Sequence, residues 1–314
     1  MRKRRGAGFS AAIGIALVLT ASAGATFPGV AGLIVGDGGT SNLNQVPQIV
    51  VVSAAGGPAN AIGYGSEPKW SPDGSHLAYG TVDGLVLASV DGRRMASHRF
   101  LVVWRPVVAN GDTYLFSDYE PSWSPRGRMI AYVIGAAGSQ QTDIHVVRVS
   151  DGKGMKQLTY STSLEYNESP AWSPDGRTIA YDSCIRLSAD TTLAGTCAIM
   201  LMNADGSHKR VIVRPRKPLI ATDPIWSPDG TQLAYSLCSD TRCSGRILDL
   251  RSHRTTTSPG LGLDTWSPGG SRIVYFGSRS TPSCDHQEIV AHTDGSSPHA
   301  LPGCFGQADW QSLP

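Results

Sequence analysis

Ser169-Pro170-Ala171-Trp172-Ser173-Pro174-Asp175-Gly176-Arg177-Thr178-Ile179-Ala180-Tyr181 occurs five times in this chain with small changes. Glu67 to Tyr79 reads EPKWSPDGSHLAY and Glu120 to Tyr132 reads EPSWSPRGRMIAY. Asp223 to Tyr235 reads DPIWSPDGTQLAY, and Leu263 to Tyr275 reads LDTWSPGGSRIVY. A truncated sixth copy, Ala308-Asp309-Trp310-Gln311-Ser312-Leu313-Pro314, ends the chain. Trp70, Trp123, Trp172, Trp226, Trp266 and Trp310 are therefore 53, 49, 54, 40 and 44 residues apart. Self-similarity at such a period marks an array of supersecondary units.

Within each copy an apolar run around the Trp meets Ser-Pro-Asp-Gly and continues to Ile/Leu-Ala-Tyr. Pro presets an early turn position, Asp bonds its own downstream backbone, and Gly accepts positive φ. Flanked by apolar runs, this is a β-hairpin. Second hairpins follow: Leu85-Val86-Leu87 leads to Asp91-Gly92, Ile144 to Val147 leads to Asp151-Gly152, and Ile199 to Met202 leads to Asp205-Gly206. Fourth strands such as Arg210 to Val213 complete four per unit, and no stretch of this region holds a helical period. Four short antiparallel strands per repeat of this length predict a propeller blade. One or two β-sandwiches would account for the strands but not for six copies with Trp at one place. The Trp and Tyr side chains are expected to pack between blades. The Asp-Gly turns lack the alternating carboxylates and distal Glu of a calcium loop.

Residues 1–25 read as a signal peptide. Arg2 to Arg5 form a charged start, an apolar run follows, and Ala21-Ser22-Ala23 and Ala23-Gly24-Ala25 are small-x-small cleavage candidates. An uncleaved anchor is the alternative, and it would be the chain's sole membrane contact. Cleavage removes four of 27 basic residues and none of 25 acidic ones, so the exported chain carries a net charge of −2. That balance argues against nucleic-acid binding.

Residues 32–66 supply what the sixth repeat lacks. Leu33-Ile34-Val35, Gln48 to Val52 and Ala61 to Tyr64 can be the second, third and fourth strands of a blade whose inner strand holds Trp310. The expected architecture is all-β, a six-bladed β-propeller over residues 32–314, closed by N- and C-terminal strands sharing one blade. Such closure removes exposed sheet edges. Residues 94–119 read as a long insertion after the first unit.

The six cysteines lie in the second half of the chain. Cys184 and Cys238 each follow the repeat Tyr by three residues, and Cys197 and Cys243 each precede the following strand. Equivalent places in successive repeats predict the local disulfides Cys184–Cys197 and Cys238–Cys243, leaving Cys284–Cys304. Bridges suit an exported chain, and no Cys/His cluster suggests zinc.

The repeated Pro-x-Trp-Ser-Pro-Asp-Gly-x-x-Ile-Ala-Tyr motif resembles the TolB-type, WD-repeat-like β-propellers of bacteria, over residues 32–314. TolB itself carries an additional α/β domain before its propeller and works in the periplasm with a peptidoglycan-associated lipoprotein. No room for that domain is seen between the signal and the first repeat. Related propellers cap prolyl-oligopeptidase-like peptidases, whose hydrolase domain needs a Gly-x-Ser-x-Gly elbow that this chain lacks.

In this fold, loops entering the inner strands and loops joining strands two and three crowd one face around the channel. Glu67, Glu120, Glu168, Asp223, Asp264 and Asp309, each just before a Trp, are candidates for a negative mouth that attracts a cation or a basic peptide. The competing reading makes them strand-start carboxylates satisfied by backbone N–H groups. Trp104, Tyr119 and Tyr166 are candidate aromatic anchors for a partner, against ordinary loop packing. The eight histidines show no ligand spacing, and neither a metal nor another cofactor is assigned. The expected function is that of an exported, periplasmic or extracellular module. It is expected to be monomeric and non-catalytic, recognising a protein or peptide of the cell envelope. The alternative is a lyase or hydrolase acting on an envelope or extracellular saccharide, with channel carboxylates as acid and base.

Overall fold

The computed structural model describes residues 30–38, 47–103, 107–109, 112–114, 120–135, 141–187, 194–239, 242–277, 287–303 and 306–313. The signal segment, Trp104, Tyr119 and the Cys284–Cys304 pair lie outside the described residues.

The described chain is all-β and forms six four-stranded antiparallel sheets, the blades of a propeller, and one two-stranded hairpin. Blade 1 holds Ser66–Trp70, His76–Thr81, Gly84–Asp91 and Arg94–Val103 from channel to rim. Blade 3 holds Glu165–Trp172, Thr178–Arg186, Ala194–Asn203 and Arg210–Val213. In blades 2, 4 and 5 the inner strands are Ser122–Trp123, Ile220–Trp226 and Leu263–Trp266. In blades 1 to 5 the inner strand ends on its Trp, because the Ser-Pro-x-Gly turn begins there.

The sixth blade joins the two ends of the described chain. Its inner strand, Gly306–Leu313, pairs with Val30–Gly38, which pairs in turn with Gln48–Ser53 and then Asn60–Tyr64. The register sets Trp310 opposite Ile34, and Val35 opposite both Asp309 and Val51. Gln311 latches this blade to its neighbour: its Oε1 accepts from Leu33 N–H at 2.9 Å and its Nε2 donates to Gly74 O at 2.7 Å. Gly74 is required there, since its φ is +68° and a Cβ would sit 2.4 Å from Ser312 O.

The core lies between blades. All six repeat Trp residues are at most 5 % exposed. Val35, Val51, Trp70 and Leu77 bind blade 6 to blade 1, and Ile34, Trp310, Val274 and Val290 bind it to blade 5. The same packing continues through blades 1 to 3, 3 to 4 and 4 to 5. Indole N–H groups stitch some of these joints: Trp123 donates to Lys69 O and Trp226 to Ala171 O, both at 3.1 Å.

Two expectations are refined. Residues 94–119 are not one insertion, because Arg94–Val103 is the fourth strand of blade 1 and a small hairpin, Val107–Ala109 with Asp112–Tyr114, follows. The rim position explains the misreading, since an edge strand needs no apolar alternation. The turn aspartates act locally. Asp73 accepts from Ser71 Oγ at 2.6 Å and from Ser75 N–H at 3.1 Å, and Asp175 and Asp229 repeat this pattern.

Trp310→Ala removes a wedge shared by the first and last described strands. It is expected to cost about 3–5 kcal/mol, against about 0.5 kcal/mol or less for Tyr160→Ala at an exposed site. Urea denaturation of the two variants checks this difference.

Candidate functional site: the acidic channel and its mouth

The inner strands do not begin as regular strands. Ladder irregularities interrupt them at Ser66/Lys69, Glu168/Ala171 and Thr222/Ile225. Three residues before the Trp, Glu67, Glu120, Ser169, Asp223 and Gln307 take φ between 34° and 56°. The left-handed region is costly for these residues. In the first four copies the next residue is Pro68, Pro121, Pro170 or Pro224, which has no N–H to leave orphaned at the irregularity. At Glu67, Ser169 and Asp223 the N–H of the left-handed residue is turned to a neighbouring carboxylate.

Those carboxylates form a belt. Glu67 N–H donates to Asp37 Oδ2 at 3.1 Å and Asp223 N–H to Asp182 Oδ1 at 3.3 Å, while Ser169 N–H donates to Glu120 Oε2. One step further on, Trp70 N–H donates to Asp309 Oδ2 at 2.7 Å and Trp172 N–H to Ser122 Oγ at 3.1 Å. Each of these bonds crosses from one blade to its neighbour in the ring. Ser169 Oγ adds a bond to Asp223 Oδ1 at 3.2 Å.

Burial sets the charge of this belt. Asp37, Asp182, Asp264 and Asp309 are each pushed up to about 6, first by loss of solvent. Glu120, Asp223 and Glu288 are held well above the usual carboxylate range, again first by burial. Nearby carboxylates add to this: Glu67 and Glu168 beside Glu120, Asp182 beside Asp223, and Asp264 beside Glu288. The Asp264 and Glu288 carboxyls are fully buried and adjoin each other, with the Ala308 N–H beside Asp264. Burial and mutual repulsion both favour the protonated form of the pair. Lys69, 2 % exposed, supplies a cation to the side of the channel holding Asp37, Asp264, Glu288 and Asp309.

Of the sequence candidates, Glu120, Asp223, Asp264 and Asp309 are thus buried in the channel wall, and two of them, Glu120 and Asp309, hold backbone N–H groups. For Asp223 the partners are hydroxyls, from Ser169 and from Thr222 at 2.7 Å. Glu67 and Glu168 remain half-buried, and Glu168 accepts from Thr142 Oγ1 at 2.9 Å. Tyr166 lies near Glu168, with the Arg186 guanidinium 4.7 Å from its ring centroid and its hydroxyl 3.9 Å from Cys197 Sγ. Burial raises the Tyr166 hydroxyl, and Glu168 and Asp182 push it further. Asp37, Asp182, Glu288, Lys69 and Arg186 were not singled out in the sequence. Among the described residues no group of three or more His, Cys, Asp or Glu side chains is arranged to hold a metal ion.

Two disulfides clasp loops at the same end of the blades. Cys184–Cys197 and Cys238–Cys243 join directly opposed residues, with Cα atoms 4.1 and 4.0 Å apart. Both pairings are those expected from the repeats.

No protein-family model matches the chain. Among solved structures, TolB from Acinetobacter baumannii aligns with a TM-score of 0.67 at 16 % identity, over 90 % of this chain and 67 % of that one. A putative TolB from Agrobacterium tumefaciens aligns at 0.58 and 17 %, over 79 % and 86 %. Oligogalacturonate lyase from Vibrio parahaemolyticus aligns at 0.52 and 15 %, over 82 % and 71 %. At such identities the likeness is one of fold, and the fold is the TolB-type six-bladed propeller.

The channel acids predict an unusual pH profile. Their folded pKa values exceed the unfolded value of about 4, so their stabilisation is complete below pH ~4 and is lost as pH rises through about 6 and beyond. The turn residues Asp73, Asp175 and Asp229 are lowered by hydrogen bonds despite partial burial, so their contribution is lost as pH falls below ~4. The thermal midpoint is expected to be higher at pH 5 than at pH 8. Glu288→Gln, which keeps a neutral donor beside Asp264, is expected to flatten that decline in a scan by calorimetry.

Proposed function

We propose that this chain is an exported, non-catalytic binding module that recognises a basic segment of an envelope protein or peptide through the loop face of its propeller. The observation that carries the reading is the division of labour among the channel carboxylates. Buried Asp37, Glu120, Asp182 and Asp309 are committed to backbone donors, while Glu67 and Glu168 are half-buried and Glu168 lies near Tyr166 and Arg186. Partly exposed acids with an aromatic neighbour suit a basic partner with an apolar contact. The disulfide-clasped loops on this face lower the conformational cost of binding. The bridges themselves suit an oxidising compartment, in keeping with the signal-like residues 1–25. The TolB structures, which share the fold, suit an envelope role.

Action on a saccharide is the second reading, favoured by the likeness to oligogalacturonate lyase. The adjoining Asp264 and Glu288 carboxyls would be its acid–base pair. Both are fully buried, which favours the binding module over catalysis.

A photo-crosslinking residue in place of Tyr166, in the exported chain within its native envelope, is expected to capture a discrete partner. Glu168→Lys combined with Glu67→Lys is expected to weaken that partner's binding at least tenfold, with an unchanged melting point. Absence of a captured partner, together with turnover of a polysaccharide panel that Glu288→Gln abolishes, would replace the binding module with the enzyme.

A further inference from the structure

The opposite face of the ring, where the Ser-Pro-x-Gly turns lie, carries a repeated cleft. Between blades 1 and 2 it has a volume of about 440 Å³ and apolar walls from Pro72, Leu87, Trp123, Pro125 and Val149. Its counterpart between blades 4 and 5, about 340 Å³, is walled by Pro228, Trp266 and Pro268. Both fall in the size range of small-ligand sites. The two are related by the repeat: Ser71, Asp73 and Trp123 in one take the places of Ser227, Asp229 and Trp266 in the other.

They differ in charge. His76 stands where the sister cleft has Gln232, and Arg126 stands where it has Gly269. Arg126 also replaces the turn aspartate found as Asp73, Asp175 and Asp229. The carboxylate already in the cleft is committed, because Asp73 Oδ1 accepts from Ser71 Oγ, Ser75 N–H and Ser75 Oγ at 2.6, 3.1 and 2.8 Å. His76 Nδ1 lies 2.7 Å from Ser75 Oγ, which leaves its Nε2 for another partner. The exposed Arg126 guanidinium makes no hydrogen bond or ion pair among the described residues. A second guanidinium, that of Arg99, reaches the wall and donates to Val149 O. An uncommitted guanidinium and an imidazole nitrogen over apolar walls match an anion on a hydrophobic body.

We propose that the cleft between blades 1 and 2 binds a carboxylate carried on a compact apolar or aromatic group, with Arg126 and His76 as its donors. This site lies at the far end of the inner strands from the channel mouth and is independent of the function proposed above. The carboxylate can belong to a free acid or to the C-terminus of a peptide.

Calorimetric titration and NMR of the whole exported chain test it, with N-acetyl-phenylalanine, its amide, a hexapeptide ending in Phe with a free C-terminus, and inorganic phosphate. The acid is expected to bind at least tenfold more tightly than the amide or phosphate, with shifts confined to residues around Trp123 and Arg126. Arg126→Asp restores the usual turn residue, and Arg126→Gly installs that of the sister cleft. Each is expected to abolish the preference for the acid over the amide. A peptide binding more tightly than the free acid assigns the carboxylate to a C-terminus, and equal affinity assigns it to a free acid. Equal affinities for acid and amide, an acid preference that survives both substitutions, or no saturable binding up to about 10 mM would overturn the proposal.

Discussion

The ring holds because its last inner strand is supplied by the C-terminal end of the described chain and its neighbour by the N-terminal end. A blade can bury its apolar faces only against two other blades. An open ring would expose two such faces at once. Trp310 opposite Ile34, Val35 between Asp309 and Val51, and the Gln311 bridge from Leu33 to Gly74 close that gap. Every other joint repeats one wedge, a Trp on an inner strand against the apolar strands of an adjacent blade.

Closure also dictates the chemistry of the channel. Six inner strands converging on one axis bring their kinked starts together, and each kink releases backbone N–H groups that need acceptors away from water. Carboxylates are effective acceptors for several such donors, but gathering them raises their proton affinity. The resulting belt is a structural solution with an electrostatic by-product: a wall that holds protons near neutral pH, softened on one side by Lys69. Under the binding function proposed above, the residues left to meet a partner are the acids partly in solvent, Glu67 and Glu168, with Tyr166 and Arg186.

Much of the fold was legible because its signals are local and repeated. Six Trp positions, the Ser-Pro-Asp-Gly turns and the matched placement of Cys184 and Cys238 each follow from short-range chemistry. The channel was legible only in part. Asp182, next after Tyr181, and Asp37 occupy the same register place in their blades, since Ile179 faces Trp172 and Ile34 faces Trp310. The first described strand reads Ile34-Val35-Gly36-Asp37 and lacks the Ala-Tyr of its sisters, so this equivalence was hidden. The left-handed residues gave no signal either, because Glu, Ser, Asp and Gln are not residues whose presence implies positive φ. Arg94–Val103 escaped for the opposite reason: a rim strand faces solvent and can be polar throughout.

Hydrogen exchange under native conditions tests the closure most directly. If blade 6 locks the ring, amides of Gly306–Leu313 and Val30–Gly38 exchange only through global unfolding, with the same free energy as the inner strands of blades 3 and 4. Exchange of Gly306–Leu313 orders of magnitude faster, with the other blades still protected, would show that the ring stands without its joined ends and would contradict the account.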